Sequence, residues 1–235
     1  MNKVQIKNIL TIYRMGVTTV ILGVIVIILI YILYIFYVKK NKTLVASASL
    51  KGSNPPITAI ASAQSTRYAY SIWLYINTWN TTNTKVVFSR TNNISVYLDQ
   101  TKPTLYCAIT QNPASNQVIT ITDNFPVQKW VCILISADDR IIDCYLDGKL
   151  VNSNKLENSP APPETAASSP INLGTTFDAY VAGFNSWSAP VGPQEAWNNY
   201  LSGNGGSSVS KFFSAYGVQV SVTKDNIEQS KVSLF

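Results

Sequence analysis

Residues 16–38 read GVTTVILGVIVIILIYILYIFYV, with no charged side chain anywhere in the run. As a helix rising about 1.5 Å per residue it would be about 35 Å long, enough to cross the hydrocarbon core of a bilayer. A buried core helix of that length carries a polar stripe, whereas this one is apolar on every face. A cleavable secretory signal has a shorter apolar region of about 7 to 15 residues. The small-residue run Ala46-Ser47-Ala48 is separated from the apolar segment by Lys39, Lys40 and Lys42. The segment is therefore read as a retained transmembrane helix, and the chain as a single-pass membrane protein.

Charge supports that reading. Lys3, Lys7 and Arg14 precede the segment and Lys39, Lys40 and Lys42 follow it, and these six account for the whole formal net charge of +6. They suit lipid headgroups, and Tyr31, Tyr34, Phe36 and Tyr37 suit an interfacial aromatic belt. The rest of the chain carries twelve basic and twelve acidic residues. A neutral body gives no basic face for nucleic acid, which is excluded as a partner. Similar basic counts on the two sides of the segment leave the orientation open.

The remaining organisation follows from local pattern. Residues 1–15 form a basic lead-in, 39–56 a small and polar linker ending in Asn-Pro-Pro, and 57–235 one folded domain. That domain is rich in Thr, Ser, Asn, Val, Ile and Tyr and poor in charge, which favours strands and tight turns. Residues 67–79 alternate Tyr68, Tyr70, Ile72, Leu74 and Ile76 with Ala69, Ser71, Trp73 and Tyr75, the pattern of a strand covered on both sides. Short strands are predicted at 85–90, 93–99, 104–110, 118–122, 171–174 and 178–187, with a short helix at 193–201 and a closing strand within 211–223. Residues 129–151, KWVCILISADDRIIDCYLDGKLV, predict two strands with turns at Asp138-Asp139 and Asp147-Gly148. Regular short strands with turn signals predict an all-β, two-sheet antiparallel sandwich behind one transmembrane helix. Cys107, Cys132 and Cys144 sit in apolar runs and read as buried thiols; a Cys132–Cys144 bond across a hairpin is sterically possible.

Catalytic chemistry is sparse. The chain has no histidine, which excludes Ser-His-Asp and Cys-His nucleophiles and His-bearing metal sites. Glycoside hydrolysis needs two carboxylates across the scissile bond. The four glutamates, Glu157, Glu164, Glu195 and Glu228, are scattered over a loop, the helix and the tail. No catalytic, cofactor-binding or metal-binding residue is assigned. Calcium stays open through Asp138, Asp139 and Asp178, which qualify by type alone. Trp79, Trp187 and Trp197 could stack on sugars, although aromatic residues in a sandwich more often fill its core.

Three stretches carry a family resemblance: YSIWLYI; KWVCILISADDRIIDCYLDGKLV; and INLG followed by AYVAGFNSW and PQEAWNNYLSG. In this order, over residues 57–200, they resemble the concanavalin-A-like jelly roll, particularly laminin-G-like and pentraxin-like domains. The residues that carry the resemblance are Trp73, Trp130, Tyr145, Asp147, Gly148 and Gly174. Membrane-anchored domains of this type are similar to minor, capsid-associated structural proteins of large icosahedral DNA viruses. That resemblance implies a non-enzymatic protein that tethers an internal virion membrane to the capsid by contacts with neighbouring structural proteins. A membrane-anchored lectin or adhesin that binds glycan is the alternative, and a glycanase ranks behind both.

Overall fold

A computed structural model of the chain describes residues 19, 21–31, 33, 41–113, 115–205, 219–224 and 227–233. They belong to two units, Met1–Lys40 and Asn41–Phe235. In the first, residues 21–31 are helical and exposed. Among the described residues no helix is long and apolar enough to cross a membrane. The rest of the expected anchor, with Lys3, Lys7, Arg14, Lys39 and Lys40, lies outside the described residues.

The second unit begins with a correction. Residues 41–49, expected as part of a linker, are strand β1 (Asn41–Ser49). It pairs antiparallel with β11 (Ala179–Trp187), from Asn41 opposite Trp187 to Ser49 opposite Tyr180. The polar composition misleads because an edge strand needs only part of its side chains inside: Leu44, Val45 and Ala48 pack against the core, and Leu50 just beyond is fully buried. Lys42, expected beside lipid, stands in β1 opposite Ser186.

The strands that follow are β2 (Tyr68–Ile76), β3 (Lys85–Arg90), β4 (Ile94–Leu98), β5 (Leu105–Gln111), β6 (Ser115–Thr122), β7 (Trp130–Asp138), β8 (Ile141–Leu146), β9 (Lys149–Lys155) and β10 (Ile171–Leu173). They form a six-stranded sheet in the order β1-β11-β2-β7-β8-β9 and a five-stranded sheet in the order β10-β3-β4-β5-β6. Every pairing is antiparallel. The two-sheet sandwich is thus the architecture that the short, alternating strands predict.

Alternation decides the faces. Tyr70, Ile72, Leu74 and Ile76 of β2 join Val131, Ile133 and Ile135 of β7 in the core between the sheets, where Phe88, Val96, Leu98 and Cys107 meet them from the other side. The opposite face of the six-stranded sheet is covered by helix α1 (Pro193–Ser202) and its approach. Ala69, Leu134, Tyr145, Trp187, Val191 and Ala196 are buried there. Pro193 opens α1 and the N–H of Gly203 closes it on the Tyr200 carbonyl. β2 is accordingly buried along nearly its whole length.

The Asp147-Gly148 turn has φ of 47° and 75°, the conformation that an Asp-Gly hairpin demands. The neighbouring turn is displaced by one residue from the expected Asp138-Asp139, since Asp138 ends β7 and Asp139 takes φ 52°. Register excludes the Cys132–Cys144 bond: Cys144 stands opposite Ile135 and faces the inter-sheet core, while Cys132 lies on the face under the helix. All three thiols are free and buried. The strand expected to close the domain is also revised. Residues 206–218 lie outside the described residues, and β12 (Gln219–Lys224) pairs with β13 (Ile227–Ser233) in a separate hairpin.

Candidate functional site

α1 covers one broad face of the sandwich, and on the outer face of the five-stranded sheet the outward residues of β4, β5 and β6 are partly or fully exposed. Alternation in ISVYL and LYCAITQ sends Ile94, Val96, Leu98, Leu105, Cys107 and Ile109 inward, so Ser95, Tyr97, Tyr106, Ala108 and Thr110 face out. The β4–β5 register sets Tyr97 opposite Tyr106 and Ser95 opposite Ala108. The two phenol rings lie 5.5 Å apart at 37°. β6 extends the face with Thr120 beside Tyr106, Val118 beside Ala108 and Asn116 beside Thr110. A cavity of about 510 Å³ opens on the same sheet, lined by Ser89, Arg90, Ser95, Ala108, Thr110 and Asn116 among others.

Apart from Arg90 in the cavity lining, whose guanidinium donates to the Ser169 and Glu164 carbonyls at 2.9 Å each, these side chains include no charged group. Hydroxyls, one amide and two phenols can exchange hydrogen bonds and offer ring faces, but none can act as a carboxylate acid or base near neutral pH. Burial and the neighbouring Tyr106 push the Tyr97 phenol above its ordinary pKa, which keeps it a donor. Asp99 follows β4, yet its Oδ1 accepts the N–H of Thr101 at 2.8 Å, the N–H of Lys102 at 3.1 Å and the Thr101 hydroxyl at 3.1 Å. Those bonds hold its carboxyl below the usual range and commit it to its own turn.

The residues singled out in the sequence have other positions. Trp73 stacks on Tyr200 at 5.6 Å, and Tyr145 is fully buried beneath α1. Trp130 leans on Tyr75 with ring centroids 5.5 Å apart. Asp147 accepts the Cys132 N–H at 2.9 Å. A Cβ on Gly148 would meet the Trp197 ring at 2.9 Å, and one on Gly174 would lie 1.7 Å from the Val86 carbonyl oxygen. Each of the six thus takes part in packing or in a turn.

The calcium candidates do not converge. Asp138 pairs with Arg67 at 2.7 Å beside the start of β2. Asp178 sits beside its end, accepting from Asn77 at 2.9 Å and Thr78 at 3.1 Å. The length of β2, roughly 25 Å, separates them. Among the described residues no group of three or more His, Cys, Asp or Glu side chains could hold a metal ion. Trp79 receives the Lys85 ammonium 4.1 Å above its ring, Trp187 is buried with its N–H on Glu195, and Trp197 rests on the Gly148 turn. Sequence reasoning passed over Tyr97 and Tyr106, although alternation in their strands already turned both outward.

Comparisons agree with this architecture. No curated protein sequence matches the chain. The receptor-binding domain of botulinum neurotoxin D aligns with a TM-score of 0.53 at 13% identity, over 68% of this chain and 47% of that one. The serotype D ligand-binding domain in complex with N-acetylneuraminic acid aligns with a TM-score of 0.52 at 12% identity, over 69% and 46%. The botulinum neurotoxin DC binding domain in complex with rat synaptotagmin II gives 0.50 at 15%, over 60% and 36%. The chain spans less than half the length of each, and at these identities the likeness is one of fold. The model of the concanavalin A-like lectin/glucanases superfamily matches residues 51–204, most of the sandwich, and the chain belongs to that superfamily.

Proposed function

We propose that the chain is a membrane-anchored, non-enzymatic interaction protein whose open sheet face binds a neighbouring structural protein. The observation that carries this reading is the composition of that face: Tyr97 and Tyr106, partly exposed, stand beside Ser95, Ala108, Thr110, Asn116 and Thr120, and Arg90 is the one charged residue in the lining of the cavity on the same sheet. Tyrosines supply rigid amphipathic contact at low entropy cost, and small hydroxyl and amide side chains adapt their hydrogen bonds to a partner; protein-binding surfaces use the same mixture. The apolar run at residues 16–38 would hold the domain at a bilayer. In a particle with an internal membrane under a protein shell, such a chain would act as a minor capsid protein linking the two.

Two experiments test it. Alkaline carbonate extraction of membranes should leave the full chain in the pellet, and release to the supernatant would end the anchored reading. Cross-linking of the full chain in its native assembly should place a structural protein against Tyr97 and Tyr106, with Tyr97→Ala/Tyr106→Ala lowering the yield about tenfold; an unchanged yield would reject the face. A membrane-anchored lectin is the second reading, favoured by the polar cavity of about 510 Å³ on the same sheet.

A further inference from the structure

The face of the six-stranded sheet that carries α1 also carries large apolar side chains that the core does not use. Leu150 in β9 stands opposite Tyr145, which is buried beneath α1, so Leu150 points to the same face, where it is 49% exposed. Trp197 rests against the Gly148 turn at 38%, and Leu201, one turn further along α1, reaches 63%. Through Tyr200 the helix covers the row of Ala182, Trp73 and Cys132. The next row along the strands is Tyr180 in β11, Tyr75 in β2 and Trp130 in β7, with Tyr180 45% exposed and the other two half-buried. The acids of this face are engaged: Asp147 by Lys129 at 3.7 Å, Asp143 by the Ser153 hydroxyl at 2.6 Å and Glu195 by the Trp187 N–H at 2.8 Å. In the sequence, Lys39 and Lys40 alone separate Val38, the end of the apolar run, from Asn41, where β1 begins. Three Cα steps reach about 11 Å at most.

We infer that the α1-bearing face of the domain lies on a lipid bilayer surface, with Trp197, Leu201 and Leu150 entering the headgroup layer and the Tyr180–Tyr75–Trp130 row along its rim. Tryptophan and tyrosine suit that layer because each joins an apolar ring to a polar tip. A few exposed side chains make a poor dock for a free protein partner, since a stable contact takes about 800 Å² per side. A surface to which the chain is already tied asks less, because a short tether holds it at high effective concentration. With a reach of only three Cα steps, the bilayer is the surface that the chain itself delivers to this domain. The inference rests on the anchored reading above and adds an orientation to it. The Tyr97–Tyr106 face, on the other side of the sandwich, is then turned away from lipid and toward the neighbouring structural protein.

None of the five tryptophans, Trp73, Trp79, Trp130, Trp187 and Trp197, lies in residues 16–38, so tryptophan fluorescence of the full chain reports the domain alone. The test reconstitutes the full chain in phosphatidylcholine vesicles whose acyl chains are brominated near the headgroup, and scores retention by carbonate extraction. Emission should be quenched relative to unbrominated vesicles. Trp197→Phe/Trp130→Phe should remove most of that quenching, and Leu150→Ser/Leu201→Ser, which keeps every tryptophan, should lower it about twofold. Quenching that survives the loss of both tryptophans would overturn the assignment of this face. Absent quenching in a chain that stays with the vesicles would overturn it too, and would leave the anchor intact. Release of the chain by carbonate would remove the anchored reading, and the inference with it.

Discussion

Lys85 opens β3 at a fully buried position, where its ammonium donates to the carbonyls of Gln100 at 2.8 Å, Asn83 at 3.2 Å and Asp99 at 3.4 Å. With the Trp79 ring 4.1 Å away, one side-chain cation gathers two loops that share no backbone ladder. Burial pulls its pKa below the ordinary lysine value, with Asp99 acting in the other direction. Lys85→Met keeps the stem but leaves the three carbonyls without this donor, and thermal melts should show a loss of about 1–3 kcal/mol. The opposite sign is expected at Tyr145, which is fully buried with its hydroxyl unpartnered. Tyr145→Phe should raise stability by about 1 kcal/mol, read as a higher Tm; a clear loss would mean that the hydroxyl is satisfied.

At the scale of elements, β1 and α1 finish the six-stranded sheet in different ways. β1 covers the edge of β11, and Leu50 behind it fills the core. A chain starting at Asn41 should therefore melt as one folded sandwich, while one starting at Lys51 should lose about 10 °C or more in Tm, having bared an apolar edge. Equal melting of the two would restore the linker reading of this segment. α1 is fastened by its side chains: Asn199 donates to the Ser71 hydroxyl at 2.7 Å and to the Cys132 sulfur at 3.6 Å, and Trp187 donates to Glu195 at 2.8 Å. Under that cover burial pushes the Cys132 thiol up to about 12.

For the whole molecule, reactivity and acid response follow from burial and rim charge. Cys144 is likewise pushed up to about 12 by burial, and Cys107 well above its usual value. Thiol labelling at neutral pH should find none of the three cysteines in the folded chain and all of them after denaturation. Asp99 is held low by backbone hydrogen bonds and Asp178 by the Asn77 side chain, so both folded pKa values lie below their unfolded ones. Their contribution to stability is complete above the unfolded carboxylate value of about 3.9 and is lost as the pH falls through the lower folded values. Melts between about pH 5 and pH 2 should show that decline, and Asp178→Asn should flatten it.

Much of the sandwich was legible because period-2 alternation names the buried face of a strand without knowing its partner. The strand at residues 67–79, the strand at 85–90, the Asp147-Gly148 turn and the short helix opened by Pro193 all emerge from local pattern and turn chemistry. β1 did not, since NKTLVASAS has a linker's composition and becomes a strand only when the β11 edge is there to pair with it. The pairing of Tyr97 with Tyr106 and the row of Tyr180, Tyr75 and Trp130 depend on register between strands distant in sequence, and the decision of which face α1 covers belongs to packing. The sequence by itself determined an apolar N-terminal run, a neutral body without histidine and the inside and outside of most strands, because these are local or compositional properties. The tertiary structure alone decided which outward aromatics stand together and which remain uncovered, because neighbours across a sheet are set by long-range pairing that local pattern does not encode.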